Sequence, residues 1–366
     1  GRGPANGRHN DVWRFDGTHW AWIDGFNGVD QLASYGTLGV PDPANHPGGR
    51  GMAGTVLTPT GTVWSFGGWG YNDVGQAELG DLWRYSGGVW TWMGGTQLAT
   101  QSGVYGTQGV AAPANRPGGR ENLVAALAPS GPIWIFGGYG VDGSSGLGRL
   151  NDIWKWDGIS WTWVSGSSTA GASGVYGVQG VPATANVPGG RLGASGWCDA
   201  AGNFWLYGGY GHDATGAVGL LDDLWRFDGS QWTWMKGSGV LFSAPTYGTL
   251  GVAAPANSPG GRMAMATAKD SEGNFWVFGG EASGFRNDLW RFDGMNWTWI
   301  AGGNSTSQGG TYGTSGVPSA SNVPGSREGA RMWIDLSGAL WIMGGSGHDA
   351  TPPGIGLLND LWRYAP

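Results

Sequence analysis

The sequence is poor in charge, in cysteine and in long apolar runs, and each shortage removes a class of protein. Charged residues make up 12% of the chain, the formal net charge is −7, and Lys and Arg never cluster. A nucleic-acid partner needs a concentrated basic surface that displaces counterions from phosphate, so none is expected. No run of about 18 apolar residues occurs, so no membrane-spanning helix is expected. Cys198 is the only cysteine, which excludes an intrachain disulfide. The chain opens at Gly1 with neither an initiator Met nor the apolar core of a signal peptide, as a mature product or a fragment would. What is abundant is Gly, at 76 residues, and Trp, at 25. Such an aromatic load argues against disorder and points to a core of flat rings, joined by backbone bent where only Gly fits.

The abundance is periodic. A segment of the type Asn-Asp-Leu-Trp-Arg-Phe-Asp-Gly, followed by Trp-Thr-Trp, runs from Asn151 to Trp163 and again from Asn287 to Trp299. Its first Trp recurs as Trp13, Trp83, Trp154, Trp225, Trp290 and Trp362, a step of roughly 70 residues, which suits one four-stranded propeller blade with a long loop. Within the second unit the strand signals fall at Arg120 to Leu127, Ile133 to Phe136, Asp152 to Trp156 and Trp161 to Val164, here called a, b, c and d. Asp157-Gly158 marks a tight c–d turn, and Pro129 to Pro132 marks the a–b turn.

A Gly doublet closes strand b in each unit (Gly67-Gly68, Gly137-Gly138, Gly208-Gly209, Gly279-Gly280, Gly344-Gly345), followed by an aromatic on strand c and a Trp on strand d. This pattern resembles the kelch repeat, in particular bacterial Trp- and Gly-rich kelch-repeat proteins and, distantly, galactose-oxidase-like propellers. The units are longer than the kelch repeat of about 50 residues. The resemblance implies an all-β, five-bladed kelch-type β-propeller with four antiparallel strands per blade, occupying residues 16–366. Strand c occurs six times, but a, b and d only five, so the last blade is expected to be closed by the N- and C-terminal strands, with Asp11 to Phe15, a tight turn away from strand d at His19 to Ile23, competing for the c position with Asp360 to Tyr364, which is connected to strand b and is preferred. Residues 1–15 then form an N-terminal extension or spare strand, available for self-association.

The d–a connection has fixed length in all five copies, whereas only the b–c connection varies, so the d–a loop is expected to be ordered. It repeats a Tyr-Gly pair, a Gly-Val pair, an Asn and a Pro-Gly-Gly-Arg or similar ending. One reading makes Tyr35, Tyr105, Tyr176, Tyr247 and Tyr312, with Asn45, Asn115, Asn186, Asn257 and Asn322, a repeated ligand surface. The other packs these loops on neighbouring blades. Arg50, Arg120, Arg191, Arg262 and Arg327 open strand a and either ring a channel mouth as an anion site or pair with Asp81, Asp152, Asp223, Asp288 and Asp360 to tie adjacent blades together. Most Trp residues sit at repeated strand positions and are expected to pack, while Trp69 and Tyr210, just past their doublets, are candidates for exposure and for stacking on a sugar.

Support for catalysis is slight. The five His residues occupy scattered repeat positions, and Cys198 has no His near it in sequence, so a galactose-oxidase copper site is not carried over. Asp-rich b–c loops such as Asp142 to Asp152 match no compact calcium loop, and no metal, cofactor or catalytic residue is assigned. The expectation is an exported bacterial protein, extracellular or at the cell surface, that binds a protein or glycan through its long-loop face. A structural subunit of an extracellular assembly and an enzyme with a site at the channel mouth are the alternatives.

Overall fold

A computed structural model describes residues 7–350 and 354–365. The alternating segments become antiparallel strands, and no helix occurs among the described residues. The chain divides into two units, Gly1–Ser173 with Val187–Leu192, and Gly174–Asn186 with Gly193–Pro366.

The first unit begins with a hairpin of β1 (Val12–Phe15) and β2 (Trp20–Asp24), with Trp13 opposite Trp22 and Phe15 opposite Trp20. The Asp16 carboxylate accepts the Thr18 and His19 N–H groups at 2.8 and 2.7 Å, and Gly17 takes φ 100°. This turn is why Asp11 to Phe15 does not stand apart as a spare strand: it is hydrogen-bonded to the strand d expected at His19 to Ile23. The first five residues of the expected extension, and Asn6, lie outside the described residues.

Two sheets of one plan follow. In the first, β3 (Arg50–Gly51) and β4 (Gly54–Leu57) both pair with β5 (Val63–Tyr71), which pairs with β6 (Gln76–Ser86) and then β7 (Val89–Gly94). In the second, β8 (Arg120–Glu121) and β9 (Val124–Leu127) pair with β10 (Ile133–Val141), then β11 (Leu147–Trp156) and β12 (Trp161–Ser165). Strand a, expected to be continuous, is thus split, because Asn122 between β8 and β9 adopts φ 52°. The short β13 (Arg191–Leu192) completes the unit.

The second unit holds β14 (Ser195–Cys198), β15 (Phe204–Tyr207), β16 (Tyr210–His212), β17 (Val218–Leu220), β18 (Leu224–Phe227) and β19 (Trp232–Lys236), with sheet order β14-β15-β18-β19. Next come β20 (Ala266–Lys269), β21 (Phe275–Glu281), β22 (Phe285–Phe292) and β23 (Trp297–Ala301), paired in sequence order. Last are β24 (Arg327–Glu328), β25 (Arg331–Ile334), β26 (Leu340–His348) and β27 (Ile355–Tyr364), in which β24, β25 and β27 all pair with β26.

Strands b and c continue past the Gly doublet. Phe66 faces Leu82, the register slips, and pairing resumes from Gly68 opposite Leu79 to Tyr71 opposite Gln76. Most of what the sequence shows as a b–c loop is therefore a hairpin extension. Its variable length sets how far the extension reaches, and in the fourth copy it stops at Glu281 opposite Phe285.

Sheets within each unit pack face to face. Phe66 and Leu82 of the first sheet join Ile135, Trp154 and Trp161 of the second in one core cluster, with Phe66 edge-on to Trp161 at 5.4 Å. In the second unit Tyr207 and Leu224 join Val277, Trp290 and Trp297. Trp83, Trp154, Trp225 and Trp290 have no exposed surface, whereas Trp13 at the same repeat position is 52% exposed.

Candidate functional site

The arginine that opens strand a does not point to solvent. Arg50 Nη1 donates to Asp81 Oδ1 at 2.7 Å and to the Gly67 carbonyl at 3.0 Å, Nη2 donates to Asp81 Oδ2 at 2.8 Å, and Nε donates to the Gly48 carbonyl at 3.2 Å. Arg120 with Asp152, Arg262 with Asp288 and Arg327 with Asp360 repeat this two-pronged pair at 2.6 to 2.9 Å. Arg262 Nη2 also donates to the Pro259 carbonyl. Arg191 is equally buried, its Nε donating to the Gly189 carbonyl at 3.0 Å. In three of these pairs the bond joins the first and third strands of one sheet rather than tying adjacent blades, and Arg262, ahead of β20, reaches Asp288 on β22 of the sheet that β20 opens.

The Gly doublet lies beside that pair, and the Gly67 carbonyl is one of its acceptors. Gly67 and Gly68 adopt φ 66° and 101°, and a Cβ on either would stand 2.6 Å from a backbone oxygen, of Arg120 or of Gly51. A side chain there would clash with these backbone groups, so the close approach of the backbones requires Gly.

The loop tyrosines close the cluster. Tyr35, Tyr105, Tyr176, Tyr247 and Tyr312 donate their hydroxyls to Oδ2 of Asp81, Asp152, Asp223, Asp288 and Asp360, at 2.7 to 3.0 Å. The same oxygen accepts the indole N–H of the strand-c Trp, as in Trp83 and Trp154 at 2.7 Å. Burial, and then the neighbouring carboxylate, push the hydroxyls of Tyr35, Tyr105, Tyr247 and Tyr312 upward, Tyr312 to about 12. Burial alone would raise Asp288, but the Arg262 charge beside it holds it below the usual carboxylate range, and hydrogen bonds from Arg327 do the same for Asp360. Tyrosine protonated beside ionised aspartate is a fixed clamp and not a proton-transfer pair near neutral pH.

The loop asparagines work on the neighbouring strand d. Asn45, Asn115, Asn186 and Asn257 donate Nδ2 to the carbonyls of Trp90, Trp161, Trp232 and Trp297 at 3.0 to 3.3 Å. Gly39, Gly109, Gly180 and Gly251 donate their N–H to the carbonyls of Trp92, Trp163, Trp234 and Trp299 at 2.8 Å. Each of these four loops therefore lies along the outer edge of the next strand d and occupies hydrogen-bonding groups that would otherwise recruit another strand.

With the Tyr, Asn and Arg side chains turned inward, the loop shows solvent its Gly-Val turns. Val40, Val110, Val181, Val252 and Val317 are 48 to 55% exposed. Sequence reasoning passed over these valines, although the recurring Gly-Val pair was the signal for them. Trp69 is half-buried, with the Arg8 guanidinium carbon 5.9 Å from its ring centroid, and Tyr210 is half-buried on β16 opposite Leu220.

Other candidates are absorbed locally. Asp142 Oδ1 accepts the Ser144 and Gly146 N–H groups at 2.7 Å, and its Oδ2 accepts that of Ala170 at 2.9 Å, fixing the tip of the b–c hairpin. Cys198 is buried, and that burial pushes its thiol up to about 12, which keeps it unreactive. No cluster of three or more metal-ligating side chains occurs among the described residues, and no helix there is long and apolar enough to cross a membrane.

No family model matches the chain, and no curated protein matches it. Among solved structures it is similar to one described as "Structure of YjhT", at 16% identity and a TM-score of 0.48, over 86% of this chain and 75% of that one.

Proposed function

We propose that this chain is an exported bacterial protein, extracellular or at the cell surface, whose repeats form a five-bladed kelch-type β-propeller and whose d–a loops bind a partner. The observation that carries the reading is the exposed valine in every d–a loop. Each stands on a loop whose Tyr is clamped, and in four of the five the Asn is clamped as well, so the apolar tips are held in place at little further cost in ordering on binding. Aliphatic tips favour a protein over a glycan, because sugar rings stack on exposed aromatic faces and the aromatic members of these loops are turned inward. A Trp- and Gly-rich repeat surface supports export.

The test is capture of cell-envelope proteins on immobilised chain, with a glycan array in parallel, comparing the wild type with a Val110→Asp/Val252→Asp variant. Specific capture that the variant loses supports a protein partner. Glycan binding that survives the variant moves the site elsewhere, and equal capture by both proteins sinks the loop-tip reading.

A second reading, a structural subunit of an extracellular assembly, is favoured by one observation. The β1–β2 hairpin leaves Trp13, Trp20 and Trp22 41 to 52% exposed.

A further inference from the structure

The sheets carry two repeated sets of arginines, and only one set has counter-charges. The strand-a arginines are held by the aspartates described above. The second set is Arg84, Arg226 and Arg291, each one residue after the buried Trp of β6, β18 or β22. Among the described residues none of the three makes an ion pair or a hydrogen bond, and in each the Nε is buried without an acceptor. Buried donors in native proteins find partners, so the same unmatched Nε in three copies needs a common explanation.

The register of the strands shows what surrounds them. Trp276 of β21 is opposite Arg291, and Arg291 is opposite Thr298 of β23, so the three side chains form a row on one face of the sheet. Trp64, Arg84 and Thr91 form the same row in the first sheet, and Trp205, Arg226 and Thr233 in the sheet of β14, β15, β18 and β19. In each row the guanidinium carbon lies over the Trp ring, 5.8 to 6.0 Å from its centroid. Two of these rings are pinned, Asp199 accepting the Trp205 indole N–H and Asp270 that of Trp276, both at 2.8 Å. On the other flank of the arginine stands the threonine, 1 to 2% exposed in all three rows, with a hydroxyl that makes no hydrogen bond among the described residues. Each row faces the next sheet of its own unit, and the cover there is apolar. Trp276 packs with Ala330, Met332 and Ile342, Trp205 with Phe275 and Phe292, and Trp64 against Ile133 and Trp156. Asp293, two residues beyond Arg291, gives its Oδ1 to the Met295 and Asn296 N–H groups at 2.8 and 2.7 Å.

We propose that each of these rows binds one halide ion, chloride in ordinary buffers, between the arginine Nε–H and the threonine hydroxyl, both of which donate to it. A cation and a hydroxyl side by side, with no carboxylate on either, call for an acceptor that carries negative charge. The burial of the threonine admits a monatomic ion and excludes an organic carboxylate or a peptide. The row of β11 is the internal contrast. Lys155 takes the arginine's place there, with Nζ 5.9 Å from the Trp134 centroid, and Thr162 opposite it is partly exposed, so that row has no Nε–H and no buried hydroxyl. The inference is independent of the valine surface and of the assembly reading.

Bromide is the probe. Crystals of the wild type in sodium bromide are expected to show an anomalous peak between Arg291 and Thr298, with counterparts beside Arg84 and Arg226 and none beside Lys155. Thr298→Val, which keeps the shape and removes the hydroxyl, is expected to lose the peak in that row alone, and Thr298→Ser to recover it. In solution, the difference in melting midpoint between sodium chloride and sodium gluconate at equal ionic strength is expected to shift towards chloride in the wild type relative to Thr91→Val/Thr233→Val/Thr298→Val. The wild-type map decides by itself if that triple variant does not fold. Rows that hold water without anomalous signal overturn the inference. Bromide that persists in Thr298→Val, or a chloride effect equal in wild type and triple variant, means an adventitious ion only and overturns it as well.

Discussion

The Tyr105 hydroxyl donates to Asp152 Oδ2 at 2.7 Å across 47 residues of sequence, and that bond fastens the loop ahead of a sheet to the sheet's third strand. Removing it with Tyr105→Phe leaves Oδ2 the Arg120 and Trp154 donors, so the expected loss is modest, about 1–2 kcal/mol. Asp152→Asn leaves a fully buried guanidinium without its counter-charge and is expected to cost about 3–5 kcal/mol. Urea midpoints at constant slope measure both. Equal effects would mean that the loop, and not the ion pair, carries the stability.

Gly137 and Gly158 both adopt positive φ, at 60° and 102°, but only one is crowded. A Cβ at Gly137 would stand 2.8 Å from the Leu150 carbonyl oxygen and 2.9 Å from that of Arg191, whereas nothing lies within 4 Å of one at Gly158. Gly158→Ala is expected to cost about 1 kcal/mol of backbone strain. Gly137→Ala adds a clash with two backbone groups and is expected to cost roughly 2–4 kcal/mol in total. Thermal melts of the two variants check the order, and a Gly137→Ala protein as stable as Gly158→Ala would remove the steric account of the doublet.

Trp154 and Trp13 share a repeat position and differ in burial, at 0% and 52% exposed. Trp154→Ala opens a cavity between packed sheets, with an expected cost of about 3–5 kcal/mol. Trp13→Ala loses partial cover at the hairpin and is expected to cost less than about 1 kcal/mol in dilute protein. Calorimetry on both variants decides whether environment or repeat identity governs the contribution.

The repeat made the sheets legible in the sequence, because period-2 alternation and turn pairs are local signals. The clamp was half legible. Matched spacing put Arg50 and Asp81 together as candidate partners, but spacing carries no direction, so it could not say whether the pair ties one sheet or two. The Tyr and Asn residues read either as a ligand surface or as loop packing, because their fixed positions in a long loop fit both. Their partners, Asp152 for Tyr105 and the Trp161 carbonyl for Asn115, are more than 40 residues away and on other strands. The strands beyond the doublet were hidden for a simpler reason, since Gly at alternate positions erases hydrophobic periodicity.

Most copies carry Asn just before the strand-c Asp, Gly80 and Asp222 do not, and the carboxylate of Asp222 has a measurable consequence. Asn10, Asn151 and Asn287 each donate Nδ2 to the carbonyl of a proline 37 residues on, at 3.0 to 3.1 Å, and accept a loop N–H on Oδ1. Asp222 is buried and keeps the accepting half, taking the Ser238 N–H and hydroxyl at 3.0 to 3.1 Å, but an ionised carboxylate has no proton to donate. Burial raises its pKa above the ordinary carboxylate value, which outweighs the lowering by Ser243 and Ser238. A carboxyl group raised in the folded state contributes its full stability below its unfolded pKa, near 4, and loses it as pH rises through the folded value. Asp222→Asn supplies the donor and removes the buried charge, so at pH 7 it is expected to stabilise the chain by about 1–2 kcal/mol. The gain should shrink as pH falls towards 4, because wild-type Asp222 then takes up its proton. Other carboxylates titrate alike in both proteins, so the difference in urea midpoint between variant and wild type isolates this one group. A difference that stays constant from pH 7 to pH 4, or that favours the wild type at pH 7, would show that Asp222 is not held against its own ionisation.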